Sequence, residues 1–380
     1  MTKRIAFLKS GIAKRGGLEK YTLRLAERFA REGHDVVLLT TDYQEGALGQ
    51  LPFAVVNLGS RLPISLAHLL YFDLQCKKYI KEHPMDLVFG LDRNFCRQTH
   101  YRAGNGVHAA YLERRKAGGM LQRWSLTANP LHRLILAMER ATFESPDLQC
   151  LFTNSHMVAK EIAQYYPRVD PKKICTVHNG VEWKELEQPF VEGLAKRSEI
   201  CAQLGLRQDC FQFLFIGHEY GRKGLHLLLR ALSLITNKNF ELSVVGKERH
   251  PEVYIAEAKK LGLEKQVHFF GLAKDTKPFY SAADCLVVPS LYDPFANVTV
   301  EALAFGVPVI SSSSNGGSEV LAFSDMGAVF SDLQSPEELA SCLERAMESP
   351  KNGERARALR DKVAHLDFSS QIGKIVSASL

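Results

Sequence analysis

The sequence predicts an α/β chain of two doubly wound parallel-sheet domains, and three observations predict it. The chain has 380 residues, more than one hydrophobic core serves, since single cores stop growing near ~250–300 residues. Short continuous apolar runs alternate with amphipathic stretches, the pattern of strands covered on both faces by crossover helices. That alternation runs twice, and the stretch 183–210 between the two series is polar and without an expected strand.

In the first series, strands are expected at 4–9, 35–40, 53–58, 86–90, 98–103, 149–154 and 173–178, with helical stretches at 18–31 and 66–80. In the second, strands are expected at 211–216, 241–245, 266–270, 285–288 and 307–311. Helical patterns intervene at 223–234, 251–261, 276–282 and 298–305, and a weak one ends the chain at 368–380. The domains are expected at 1–190 and 191–365, with a helix at about 366–380 packing back on the first. Ligands of such sheets bind at the carboxyl ends of the strands. The serines at 311–314 follow a strand, where a ligand loop belongs.

Composition narrows the class. Apolar residues at 46% and charged residues at 24% make an ordinary globular balance. A formal net charge of +6 suits phosphates or an acidic membrane surface and is too small to argue for nucleic acid. The eight cysteines show no Cys-x-x-Cys and fit buried small hydrophobes in a reducing compartment. The first apolar run is too short for a signal peptide, and no stretch approaches ~20 apolar residues. A cytoplasmic protein is therefore expected.

Three segments carry chemistry. The first strand runs into Gly11 and then Gly16-Gly17 before a helix, where backbone amides can approach a phosphate. Gly17 breaks the phosphate-binding loop pattern and Ala13 the dinucleotide fingerprint. A plain tight turn explains this segment equally well. The first strand of the second series runs into Gly217-His218-Glu219-Tyr220-Gly221-Arg222-Lys223-Gly224. Arg222 and Lys223 there would reinforce a helix dipole at a bound diphosphate, although adjacent cations can also be merely solvated. The third segment, Asp293-Pro294-Phe295-Ala296-Asn297-Val298-Thr299-Val300-Glu301, places two acids eight apart around a helix start. Asn297, Val298 and Thr299 would present amides there, and Glu301 could accept ribose hydroxyls. The plainer readings are a cap for Asp293 and a buried paired acid for Glu301.

Arg222-Lys223-Gly224, Val245-Gly246, Phe270-Gly271-Leu272, Tyr292-Asp293-Pro294-Phe295 with Glu301-Ala302, and Gly306-Val307-Pro308-Val309 together resemble the retaining glycosyltransferases of family 4. The segment from Tyr101 to His108 and Phe143-Glu144 resemble the lipopolysaccharide-core glucosyltransferases within it. The resemblance implies the GT-B architecture, two Rossmann-like domains facing across a deep cleft, the first on the acceptor side and the second binding the donor. It implies that Gly16, Gly17, Arg222 and Lys223 face the donor diphosphate, with the amides of Asn297 and Val298. The backbone around Leu272 would hold the base and Glu301 the ribose, with Gly246 also among the donor-binding residues. Asp293 replaces the usual Glu near the transferred sugar, and Ala296 a common Gly. Asn105 stands where relatives carry an acid, which leaves His108 as the fallback base or an ordinary loop residue. The turn Asn179-Gly180 is expected to need a positive φ.

The implied partners are a nucleotide-sugar donor, with UDP-glucose first and UDP-N-acetylglucosamine, UDP-galactose and GDP-mannose open, and a lipid-linked saccharide acceptor. No cofactor is implied. With no Asp-x-Asp in the chain, no metal bridge to the diphosphate is expected. The segment 111–140 mixes Arg114, Arg115, Lys116, Arg123 and Trp124 with leucines, suiting peripheral contact with anionic lipid at the inner membrane face or an ordinary half-buried helix. Other readings of the chain are a sugar-nucleotide epimerase, an inverting transferase, a nicotinamide enzyme and an inactive membrane-docked scaffold.

Overall fold

The computed structural model describes residues 2–12, 17–43, 49–60, 62–116 and 129–380, without the side chains of Arg115 and Lys116. The chain forms two compact units, one of Met1–His178 with Gln371–Leu380, the other Asn179–Ser370.

In the first unit the strands are β1 (Arg4–Leu8), β2 (Asp35–Thr40), β3 (Ala54–Asn57), β4 (Leu87–Gly90), β5 (His100–Arg102), β6 (Cys150–Thr153) and β7 (Ile174–Thr176). They pair in the order β3-β2-β1-β4-β5-β6-β7, all parallel. The order reverses between β1 and β4, which opens a crevice at their carboxyl ends. The helices are α1 (Gly17–Arg31), α2 (Ser65–Glu82), α3 (His108–Lys116), α4 (Pro130–Phe143) and α5 (His156–Tyr165). Ile5, Ala6, Phe7 and Leu8 in β1 are all fully buried, as a central strand covered on both faces requires.

The second unit opens with α6 (Trp183–Ala195) and α7 (Arg197–Gln203). Its sheet holds β8 (Phe211–Ile216), β9 (Phe240–Val245), β10 (Val267–Gly271), β11 (Cys285–Val288), β12 (Val309–Ser312) and β13 (Gly327–Phe330), in the parallel order β10-β9-β8-β11-β12-β13. Its remaining helices are α8 (Leu225–Leu234), α9 (Pro251–Lys260), α10 (Lys277–Ala282), α11 (Asn297–Ala304), α12 (Pro336–Met347) and α13 (Gly353–Lys362), and the last helix, α14 (Phe368–Ser379), starts in this unit and belongs from Gln371 onward to the first. Two clusters, around Leu228 and Val244 and around Leu286 and Leu303, fill the two faces of this sheet.

The polar stretch after residue 182 holds no strand, as expected, and forms the pair α6 and α7, which bury Phe190 and Cys201 in the second unit. Two expectations are corrected. The sixth strand, β13, was not expected, because its Gly-Ala-Val-Phe run is short and only Phe330 is fully buried. The Asn179-Gly180 turn has no positive φ; instead a Cβ on Gly180 would lie 2.6 Å from the Leu366 carbonyl. Glycine is needed there for close backbone approach. Among the described residues no helix is long and apolar enough to cross a membrane.

Candidate active site

The second unit gathers its polar side chains at the carboxyl ends of the neighbouring strands β8, β11 and β12. Gly224, at φ 78°, turns the chain from the loop after β8 into α8, and a Cβ there would strike the Pro289 carbonyl at 1.9 Å. This close approach sets the β8 loop against the β11 loop, and Leu291 N donates to Arg222 O at 3.0 Å. Gly217 and Gly246 end β8 and β9 so closely that a Cβ on Gly246 would lie 1.9 Å from Gly217 O.

On this frame Lys223 Nζ donates to Asp293 Oδ2 in a short contact between two largely buried side chains. Arg222 Nη1 lies 3.7 Å from the same oxygen and donates to Tyr292 O at 3.3 Å, while its Nε donates to Glu219 at 2.9 Å. Glu219 is the one non-glycine residue with positive φ among the described residues, at 57°. Asp293 Oδ1 accepts from Phe295 N at 3.2 Å, so both carboxylate oxygens are engaged. The result is two cations fixed in direction rather than a mobile pair.

The β11 loop then enters α11. Asn297 N and Val298 N, at its first turn, donate to no group among the described residues, the ordinary condition of a helix start that receives an anion. Asn179 Nδ2 donates to Asn297 Oδ1 at 2.6 Å. One turn on, Glu301 Oε2 accepts from Tyr280 OH at 2.7 Å. Asn315 is wholly buried: its Oδ1 accepts from Ala296 N and Gly317 N, and its Nδ2 donates to Thr299 Oγ1 and Ser311 Oγ. This one side chain ties the loops after β11 and β12 together.

The first unit carries its own polar cavity, of about 330 Å³, at the carboxyl ends of β1, β2 and β4. Lys9, Glu19, Asp42, His68, Asp92 and Arg93 line it. Asp92 holds Lys9 Nζ at 3.1 Å and accepts from Ser10 N and Oγ, and Asp42 accepts from Ile12 N at 2.7 Å. Arg93 pairs with the buried Glu139 at 2.8 Å, and Glu139 also accepts from His108 N and Tyr166 OH.

Comparison with known proteins accounts for both units. Residues 15–184 match the model described as Glycosyltransferase Family 4, and residues 196–363 the model described as Glycosyl transferases group 1. Together, in that order, these take in nearly the whole chain. The chain belongs to glycosyltransferase family 4. It is 26% identical over 338 residues to the lipopolysaccharide glucosyltransferase WaaG of Escherichia coli K12, covering 87% of this chain and 86% of that one. It is 24% identical over 339 residues to the D-inositol 3-phosphate glycosyltransferase of Streptomyces scabiei, covering 80% and 73%. The fold is GT-B: the crystal structure of WaaG superposes with a TM-score of 0.77 at 24% identity, covering 98% of each chain. Anabaena HepE in complex with UDP-glucose superposes at 0.68 and 18% identity over the whole of both chains.

The structure brings Arg222, Lys223 and Asp293 into direct contact and sets Asn297, Val298, Thr299 and Glu301 on one short helix of this family 4 enzyme. Thr299 N is committed to Ala296 O at 3.0 Å and its hydroxyl to Asn315, so Thr299 braces the helix start. Leu272 follows β10 and is 66% exposed, a large apolar side chain open at the strand's carboxyl end. In the first unit Gly17 opens α1, while Gly16 lies outside the described residues. Asn105 is exposed on the turn after β5. His108 opens α3, and its Nε2 is 3.1 Å from His132 Nδ1. Burial, with Arg93 and His132 adding to it, pushes the His108 pKa down to about 4, so the ring is neutral at pH 7. Arg114 is paired at 2.7 Å with the nearly buried Glu161. Arg123, Trp124 and the side chains of Arg115 and Lys116 lie outside the described residues.

Sequence reasoning missed Lys9, Asp42, Asp92, Tyr280 and Asn315. The first three stand one or two positions past a strand end, a signal available in the sequence. Tyr280 and Asn315 carry no such mark, because their partners are 21 and 19 residues away.

Proposed function

We propose that this enzyme is a retaining, metal-independent hexosyltransferase that moves glucose from UDP-glucose to a lipid-linked saccharide such as the lipopolysaccharide core. The observation that carries the reading is the fixed Arg222–Lys223–Asp293 cluster beside the open amides of Asn297 and Val298. Charge grows on the nucleoside diphosphate as the bond from sugar C1 to the phosphate oxygen breaks. Fixed donors aimed at that oxygen lower the barrier without reorganising. The electron pair stays with the diphosphate, the acceptor oxygen attacks C1 from the same face, and its proton passes to the departing phosphate oxygen. Glu301 takes the ribose hydroxyls, and the backbone around Leu272 holds the base.

Asp293 acts first on Lys223 and only through it on the sugar, which fits a side chain one methylene shorter than the family's Glu. The acceptor saccharide enters the cavity of the first unit, whose carboxylates accept hydrogen bonds from hydroxyls, with Asn105 and neutral His108 hydrogen-bonding the acceptor rather than taking its proton. WaaG's description as a glucosyltransferase and the UDP-glucose bound to HepE support the donor.

The segment around α4 supports a peripheral contact with anionic lipid at the inner face of the membrane. A groove of about 730 Å³ there is lined by Arg133, Leu136, Ala137, Arg140, Tyr165 and Tyr166, cations flanking an apolar floor.

A thermal-shift panel of nucleotide sugars tests the donor. A ligand at a hundred times its dissociation constant adds about 2.7 kcal/mol, a rise of several degrees. UDP-glucose should raise Tm most, with EDTA present, and NMR should show the donor's anomeric configuration kept in the product. A shift with GDP-mannose alone, or an inverted product, overturns the reading.

A further inference from the structure

We propose that Tyr280 is a positioning residue for the donor: its hydroxyl holds Oε2 of Glu301 and thereby sets the direction of the carboxylate that takes the ribose. This rests on Glu301 being the ribose ligand. The phenol is fully buried on α10, and its ring stacks on Phe305, centroids 5.4 Å apart and planes 19° from parallel. Its hydroxyl goes to the half-buried Glu301 carboxylate at 2.7 Å, where a purely structural tyrosine would serve as well with a backbone carbonyl. Burial, with the carboxylate adding to it, holds the phenol well above its ordinary pKa, so it remains a donor.

The helix beneath it is clamped. α10 has six residues, too few to hold itself, and takes side-chain donors on its terminal carbonyls. Lys351 Nζ donates to Tyr280 O at 3.0 Å and Ser281 O at 2.9 Å. Arg197 donates through Nε and Nη2 to Ala282 O at 3.1 and 2.9 Å. Asp284 anchors the clamp, accepting from Arg197 Nη2 at 2.7 Å and from Lys351 N at 2.9 Å. A side chain free to rotate about three bonds is thereby held in one direction by a hydroxyl that cannot drift.

The test is calorimetric titration of the full chain with UDP and with 2′,3′-dideoxy-UDP, which lacks the ribose hydroxyls. Tyr280→Phe should weaken UDP about tenfold, the worth of one hydrogen bond to a charged group, and leave dideoxy-UDP unchanged. Donor KM should rise with kcat nearly constant. Lys351→Gln, which keeps the hydroxyl but loosens its helix, should weaken UDP by a smaller factor in the same selective way. Equal weakening of both nucleotides by Tyr280→Phe, or of neither, overturns the proposal. Glu301→Ala should bind the two nucleotides alike; if it still prefers UDP as wild type does, the ribose reading has failed and the proposal with it.

Discussion

Asn315→Ala should destabilise the second unit by about 3 kcal/mol. The side chain is wholly buried and makes four hydrogen bonds. Truncation strands two buried backbone amides, Ala296 N and Gly317 N, and each orphaned donor costs about 1–3 kcal/mol. The hydroxyls of Thr299 and Ser311 can rotate to other acceptors, so they add little. Asn315→Asp keeps an oxygen for both amides and offers its second oxygen to those hydroxyls, and should lose only about 1 kcal/mol. Urea unfolding followed by Trp183 fluorescence in a Trp124→Phe background reports on the second unit alone, since these are the chain's two tryptophans. With m near ~2 kcal/mol/M, the Asn315→Ala midpoint should fall by about 1.5 M. A fall under about 0.5 M, or Asp proving worse than Ala, refutes the reasoning that this residue ties the two site loops through their amides.

Two further outcomes follow from the same geometry. Gly246→Ala sets a Cβ 1.9 Å from Gly217 O at a φ of +139°, so β8 and β9 must part at the site end; urea melts should show a loss of about 3 kcal/mol or more. Lys351, pushed down by burial and by Arg197 from 10.5 to about 7, binds its proton less readily folded than unfolded. Stability should therefore rise with pH between about 7 and 10.5, where the unfolded chain holds the extra proton. Lys351→Met should flatten that rise in thermal melts across the window; an unchanged slope counts against the shift.

Much of the fold was legible because buried parallel strands are nearly continuous apolar runs: Phe211–Ile216 and Cys285–Val288 have the predicted bounds. β13 was missed because a short edge strand that leaves Val329 exposed lacks that signature. α6 and α7 carried no signal of their own because a helix that buries one narrow stripe looks polar along its length. Arg222 and Lys223 stood out in the sequence because charge and glycine there follow a strand end. The Lys223–Asp293 pair did not, since its members are 70 residues apart and meet only because β8 and β11 are sheet neighbours. Gly180 shows a subtler limit. Sequence marks a glycine that matters, but whether for dihedral freedom or for the missing Cβ depends on a backbone 186 positions on, at Leu366.

The central claim is that the second unit's fixed cations carry the leaving diphosphate. Lys223→Ala tests it most directly, measured as glucose transfer or UDP-glucose hydrolysis beside the melting curve. The account predicts turnover lower by about 10²–10³, the worth of one preorganised donor to a developing charge. The fold should persist, because Asp293 keeps Phe295 N and gains Arg222. Transfer at the wild-type rate would contradict it.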